Sequence, residues 1–407
     1  MQRLSIWISA LIPLVALVLM LALFVGGDPL ALFTSSVPPI EDLSFEQIRV
    51  LPEGFEVSVI NGGPEPITIA QVLVDEAYWE FTIQPSAVLG RLATAEISIP
   101  YPWVEGEPHE IRLVTNTGAT FDGEVEIAVP TPQPGSREIM AYGLVGIYVG
   151  IIPVGLGLLW YPAMRRLDRK WIGSILALTV GLLVFLLIDT SLEALEFAAE
   201  LPNAFQGITV AFFAALLTWF LLIAIRSNSK IGTAVEGKRR VLYIATLIAL
   251  GIGLHNLGEG LAIGTSFALG EVALGSFLVV GFTLHNITEG VGIAAPLLPR
   301  LSHQGGSESE KDTPASPKLG TFLALTLLAG APAILGIWIG GFVFSPLLTV
   351  LFLGIGVGAI WQVIVEVADL LKSYANAESS QIASWPNMIG FALGFLIMYL
   401  TAFLVSV

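Results

Sequence analysis

The chain has 407 residues, 55% of them hydrophobic and only 13% charged, with a mean hydropathy of +0.81. A soluble chain carries about 25% charged residues, so this composition predicts a polytopic membrane protein. The formal charge of −15 argues against a nucleic-acid partner, and the absence of cysteine excludes disulfide scaffolds, thiolate metal sites and cysteine nucleophiles.

Residues 5–25 form the first apolar run, directly after Arg3. Residues 1–25 read as a signal anchor or a signal peptide. The apolar stretch is long and no clear small-x-small cleavage site follows it, which favours the uncleaved anchor. Residues 26–137 differ in character. Pro, Gly and turn signals separate short β-rich runs, and residues 26–138 hold 18 of the 33 acidic residues. Strands are predicted at Phe55–Asn61, Ile67–Asp75, Tyr78–Gln84, Thr94–Pro100, His109–Thr115 and Thr120–Val129. This spacing predicts an all-β sandwich of immunoglobulin-like type. His109 is expected at the surface or in a local hydrogen bond, without a metal role. Thr131-Pro132-Gln133-Pro134-Gly135 reads as the linker to the membrane.

Residues 138–407 contain eight more apolar segments, near 139–161, 171–192, 204–225, 240–265, 272–298, 319–343, 346–371 and 387–407. Each has about the 20 residues needed to cross the hydrocarbon core. Arginine and lysine fall in alternate loops: Arg165, Arg166, Arg169 and Lys170 in one, Arg226, Lys230, Lys238, Arg239 and Arg240 in the next, then Arg300, Lys311 and Lys318, and finally Lys372. The loops between carry none. The positive-inside rule therefore predicts a multi-pass cell-membrane protein with its N-terminus cytoplasmic and its β-domain and C-terminus extracytoplasmic. Loop 299–318, with His303 as a solvated residue, has a disordered composition.

Two of these segments repeat one motif: His255-Asn256-Leu257-Gly258-Glu259-Gly260 and His285-Asn286-Ile287-Thr288-Glu289-Gly290. On a helix, positions i and i+4 share a face, so each copy points an imidazole and a carboxylate the same way. Ionisable residues in lipid are costly and mark function. The outer turn centres near Gly270, fifteen residues from each histidine. At a rise of 1.5 Å per residue both histidines reach the same depth, about 20 Å from the turn. An antiparallel pair can then bring His255, Glu259, His285 and Glu289 to one roughly two-fold symmetric point, with Asn256 and Asn286 as neutral oxygen ligands or supporting groups. Two imidazoles and two carboxylates suit a divalent transition metal and cancel its charge.

The doubled motif resembles the hallmark of the ZIP (Zrt/Irt-like) family of divalent metal transporters, an HN-x-P-E-G-type sequence in the fourth and fifth helices of an eight-helix unit. The resemblance covers about residues 139–407. It implies a transporter that moves zinc, ferrous iron or manganese toward the cytoplasm, as substrate rather than cofactor, and family members are often homodimers. The family's second-helix motif is matched by Asp189-Thr190-Ser191-Leu192-Glu193, with Asp in place of His, at the outer mouth. Its seventh-helix glutamate is matched by Glu366, on the exit side. Two departures stand out. The motif prolines are replaced by Gly258 and Thr288, and Thr288 is free to bond back to its own helix. The sixth helix reads Gly330-Ala331-Pro332 without the bridging glutamate of some members, which predicts one metal per pathway. Metal binding needs deprotonated ligands, so affinity should fall in acid. Two readings from other classes remain open on sequence alone: an intramembrane metal-dependent hydrolase, and a metal sensor or receptor signalling through the β-domain, whose own ligand the sequence does not specify.

Overall fold

The computed structural model describes residues 11–12, 15–20, 22–23, 41–167, 169–228, 238–268, 272–298, 317–343, 345–377 and 381–405. Residues 1–40 and 41–407 form separate units. In the first, the described residues are helical and exposed. Most of the predicted anchor, Arg3, His303 and nearly all of loop 299–318 lie outside the described residues.

The second unit begins with nine strands: β1 (Leu43–Leu51), β2 (Gly54–Asn61), β3 (Ile67–Val74), β4 (Ala77–Trp79), β5 (Thr82–Gln84), β6 (Val88–Leu89), β7 (Thr94–Ile99), β8 (His109–Thr115) and β9 (Thr120–Val125). They pair antiparallel in two sheets, β1-β2-β7-β5 and β4-β3-β8-β9, with β6 on the flank of β3. Strict alternation in β7 and β8 turns Ala95, Ile97, Ile99, Ile111 and Leu113 inward. There they share one core with Val57, Val59, Val72 and Val74. The predicted strand Tyr78–Gln84 is corrected to two. β4 pairs with β3 and β5 with β7, so the chain changes sheets at Glu80 and Phe81. β1 was not anticipated, because a register shift between Phe45 and Gln47 interrupts its alternation.

His109 is buried and locally hydrogen-bonded: its Nδ1 lies 2.8 Å from Asp75 Oδ2. Asp75 also accepts from the Tyr101 hydroxyl (2.8 Å) and the Glu110 N–H (3.0 Å). Desolvation pushes the Asp75 carboxyl up, but these hydrogen bonds together outweigh it and hold the group below its ordinary value.

Among the described residues, eight helices long and apolar enough to cross a membrane follow: α1 (Ser136–Met164), α2 (Trp171–Ala199), α3 (Asn203–Ser227), α4 (Val241–Ala268), α5 (Leu274–Leu297), α6 (Leu319–Phe342), α7 (Pro346–Ala375) and α8 (Trp385–Phe403). The protein is a multi-pass membrane protein. The Gly62 turn of the β-domain abuts Pro202, in the α2–α3 connection.

Glycine positions divide the bundle into two blocks. A side chain at Gly260 would strike the Ala333 carbonyl, one at Gly264 the Ile337 carbonyl, and one at Gly336 the Leu257 carbonyl, so α4 and α6 run parallel at backbone contact. Gly157 and Gly290 join α1 to α5 in the same way, and Gly150 and Gly330 join α1 to α6. In the other block, Gly390 and Gly394 seat α8 on α2, and Gly354 and Gly358 seat α7 on α3. Small residues permit this approach, the usual basis of helix association in lipid. Across the boundary Gly251 faces Val363, Gly258 faces Leu353 and Gly292 faces Thr179, while Gly356 of α7 lies against the backbone and ring of His255.

Replacing Gly260 by Leu should therefore destabilise the helical bundle by about 3 kcal/mol or more, read as a lowered melting temperature in detergent. Gly320→Leu, where nothing lies within 4 Å of the added carbon, should leave the melting temperature unchanged.

Candidate metal centre

Both motifs sit well inside their helices, where apolar neighbours bury them. On α4, His255 and Glu259 are one turn apart on one face, and His255 Nε2 lies 2.9 Å from Glu259 Oε1. From α5, His285 Nε2 reaches the same Glu259 oxygen. One ligand atom from each of His255, Glu259 and His285 lies within 4.8 Å of the other two, and among the described residues this is the one such His/Asp/Glu group. The three residues are 4%, 4% and 6% exposed, which places the cluster out of bulk water.

The two asparagines are oriented by irregularities in neighbouring helices. Asn256 Nδ2 donates to the Ala329 carbonyl (3.0 Å), beside the break that Pro332 makes in α6. Asn286 Nδ2 donates to the Val149 carbonyl (3.0 Å), within a π-helical turn of α1, Ile147–Ile151, and is 3.3 Å from Glu259 Oε2. A carbonyl only accepts, so each amide must present its nitrogen there. The side-chain oxygens are thereby fixed, and each is buried with no hydrogen-bond partner.

His255 Nδ1 and both Glu289 oxygens are likewise buried and unpartnered, although the Asn256 amide lies within electrostatic reach of the Glu289 carboxylate. Five of the thirteen unpartnered buried side-chain N and O atoms in the described residues thus belong to these two motifs. Each such atom costs about 1–3 kcal/mol. All five are lone-pair atoms that a cation can use.

The arrangement is not the symmetric one expected from the repeat. Glu259 receives both histidines and Glu289 receives neither. Both imidazoles turn to the carboxylate on one side: Glu259 rises from its histidine toward the β-domain end, and Glu289 descends toward the opposite end. There Glu289 lines a cavity of about 10 Å³ with Thr179, Leu183, Ile248 and Met398, room for about one water. Thr288 bonds back to the His285 carbonyl (2.6 Å), as its position on the helix allows. Ala331 supplies no ligand to the cluster.

Three predicted pathway residues lie outside the cluster, on the other block. Asp189 is exposed and Glu193 half-buried on α2, both within electrostatic reach of His255. Glu366 on α7 is buried, accepts from Gln362 Nε2 (2.8 Å) and pairs with Arg226 Nη1 (2.8 Å). Sequence reasoning did not find the Val149 and Ala329 carbonyls, Gln362, or the role of Arg226. Pro332 inside an apolar helix was a visible signal for Ala329, and the partnership of α3 with α7 was not visible at all. Compared with known protein families and with characterised proteins, the sequence matches none of them.

Glu259→Gln should weaken zinc affinity about 100-fold or more, because it removes the charge both imidazoles face. Asn286→Ala, which deletes an orienting group, should cost about 10–100-fold. Competition with a chelating dye on the purified protein reads both values, and unchanged affinity would remove Glu259 from the site.

Proposed function

We propose that the protein is a ZIP-like transporter that carries divalent transition-metal ions across the cell membrane toward the cytoplasm, with zinc first and ferrous iron or manganese next. The observation that carries this reading is the buried His255–Glu259–His285 cluster, surrounded by unpartnered donor atoms at the centre of an eight-helix membrane bundle. Nitrogen and oxygen donors of this kind match those cations. Ionised Glu259 and Glu289 would together balance a divalent charge, and Asn256 and Asn286 supply neutral oxygens. The metal is the cargo, and no resident cofactor is invoked. The absence of a sixth-helix carboxylate supports one ion per pathway.

In this reading the β-domain, an immunoglobulin-like sandwich, faces outside with Asp189 and Glu193 near the mouth. The basic loops and the N-terminus face the cytoplasm, and Glu366 lies toward the exit. Transport requires the site to open to one side at a time. All six motif residues, and the carbonyls that orient their asparagines, belong to the block α1, α4, α5 and α6. The opposing block meets them at Gly356 of α7, beside His255, and at Thr179 and Met398, around Glu289. Movement of one block against the other, as the family resemblance implies, would carry the site without dismantling it.

The test is metal uptake by sealed liposomes containing the purified protein. Zinc, iron(II) or manganese should enter down a gradient, and His285→Ala should reduce the initial rate by about tenfold or more. No uptake of any of the three by the unmodified protein would overturn the proposal.

A further inference from the structure

The α3–α7 seam places a positive charge where an outgoing cation would bind. Gly354 packs against the Ala211 carbonyl and Gly358 against the Ala215 carbonyl, so the two helices advance in parallel register. Eleven residues beyond Ala215 comes Arg226, and eight beyond Gly358 comes Glu366. The guanidinium bridges two carboxylates of unlike setting. Nη1 is 2.8 Å from Glu366, whose side chain is 5% exposed, and Nη2 is 3.3 Å from Asp369, which is 57% exposed. The same α7 touches the metal cluster: a side chain at Gly356 would lie 3.8 Å from His255 Nδ1. Glu366 follows ten residues later, about 15 Å along the helix, toward the end with the basic loops.

A buried carboxylate in that position, left alone, is a trap for a divalent ion. We propose that Arg226 is the release-determining residue of the pathway: its guanidinium holds Glu366 in place of the cargo, and it swings to Asp369 when an ion passes. This rests on the transport reading above. Guanidinium and ion cannot occupy Glu366 together, because the fixed positive charge repels the ion at contact distance. Asp369 is the exposed alternative partner, one turn on and already in reach. The chain thereby discourages a second ion from lodging beyond the central cluster and speeds departure to the inner side.

The experiment measures zinc bound per chain in the full-length protein, alongside liposome uptake. The unmodified protein should bind one ion. Arg226→Gln should bind two, and the double variant Arg226→Gln/Glu366→Gln should return to one. Uptake by Arg226→Gln should fall about tenfold in kcat with KM little changed or lower, as expected when release limits turnover. Should Arg226→Gln fail to fold, Asp369→Asn tests the same device, since it removes only the exposed partner. It should lower kcat several-fold while one ion remains bound. A single bound ion in a folded Arg226→Gln protein, or unaltered kcat in Asp369→Asn, overturns the proposal. Failure of the unmodified protein to take up any metal refutes the transport reading instead.

Discussion

One buried carboxylate organises the helical domain. Glu259 sits inside an apolar bundle and receives the Nε2 atoms of two histidines from two helices. An isolated carboxylate in such surroundings carries a desolvation penalty of several kcal/mol, and removing a partner from a buried charged pair typically costs 3–5 kcal/mol. α4 and α5 therefore bring His255 and His285 to the same oxygen. The asparagines next to each histidine fix that geometry by reaching carbonyls at the two places where neighbouring helices depart from regular α-helix. A π-helical turn in α1 and the Pro332 break in α6 are thus tied directly to the cluster.

The glycine seams extend the same logic outward. Backbone contact between α4 and α6, α1 and α5, and α1 and α6 makes a rigid frame for ligands that must be positioned to a fraction of an ångström. The second frame, α2 with α8 and α3 with α7, holds Asp189, Glu193 and the Arg226–Glu366–Asp369 group. Between the frames, Gly251, Gly258 and Gly292 face Val363, Leu353 and Thr179.

Much of this was legible in the sequence, for physical reasons. Apolar length alone marks the eight helices, because lipid leaves no other solution for a chain of this composition. The i, i+4 spacing reveals that each histidine shares a face with its glutamate. The β-strands emerge wherever alternation is clean, as in β7 and β8. The failures have equally specific causes. The Tyr78–Gln84 run changes sheets in its middle, which a local pattern cannot register. The asymmetry of Glu259 and Glu289 depends on which helices lie above and below the cluster. Arg226 reads as one more basic residue at a helix end until α3 is known to pack on α7.

The transport proposal needs His255, His285 and Glu259 to hold a metal ion together. X-ray absorption spectroscopy of the purified protein with one equivalent of zinc tests it most directly. Two imidazole nitrogens are expected, with oxygen donors completing the shell at about 2.0–2.2 Å, and His285→Ala should lose one imidazole contribution. A shell made only of oxygen, or one unchanged in that variant, would contradict it.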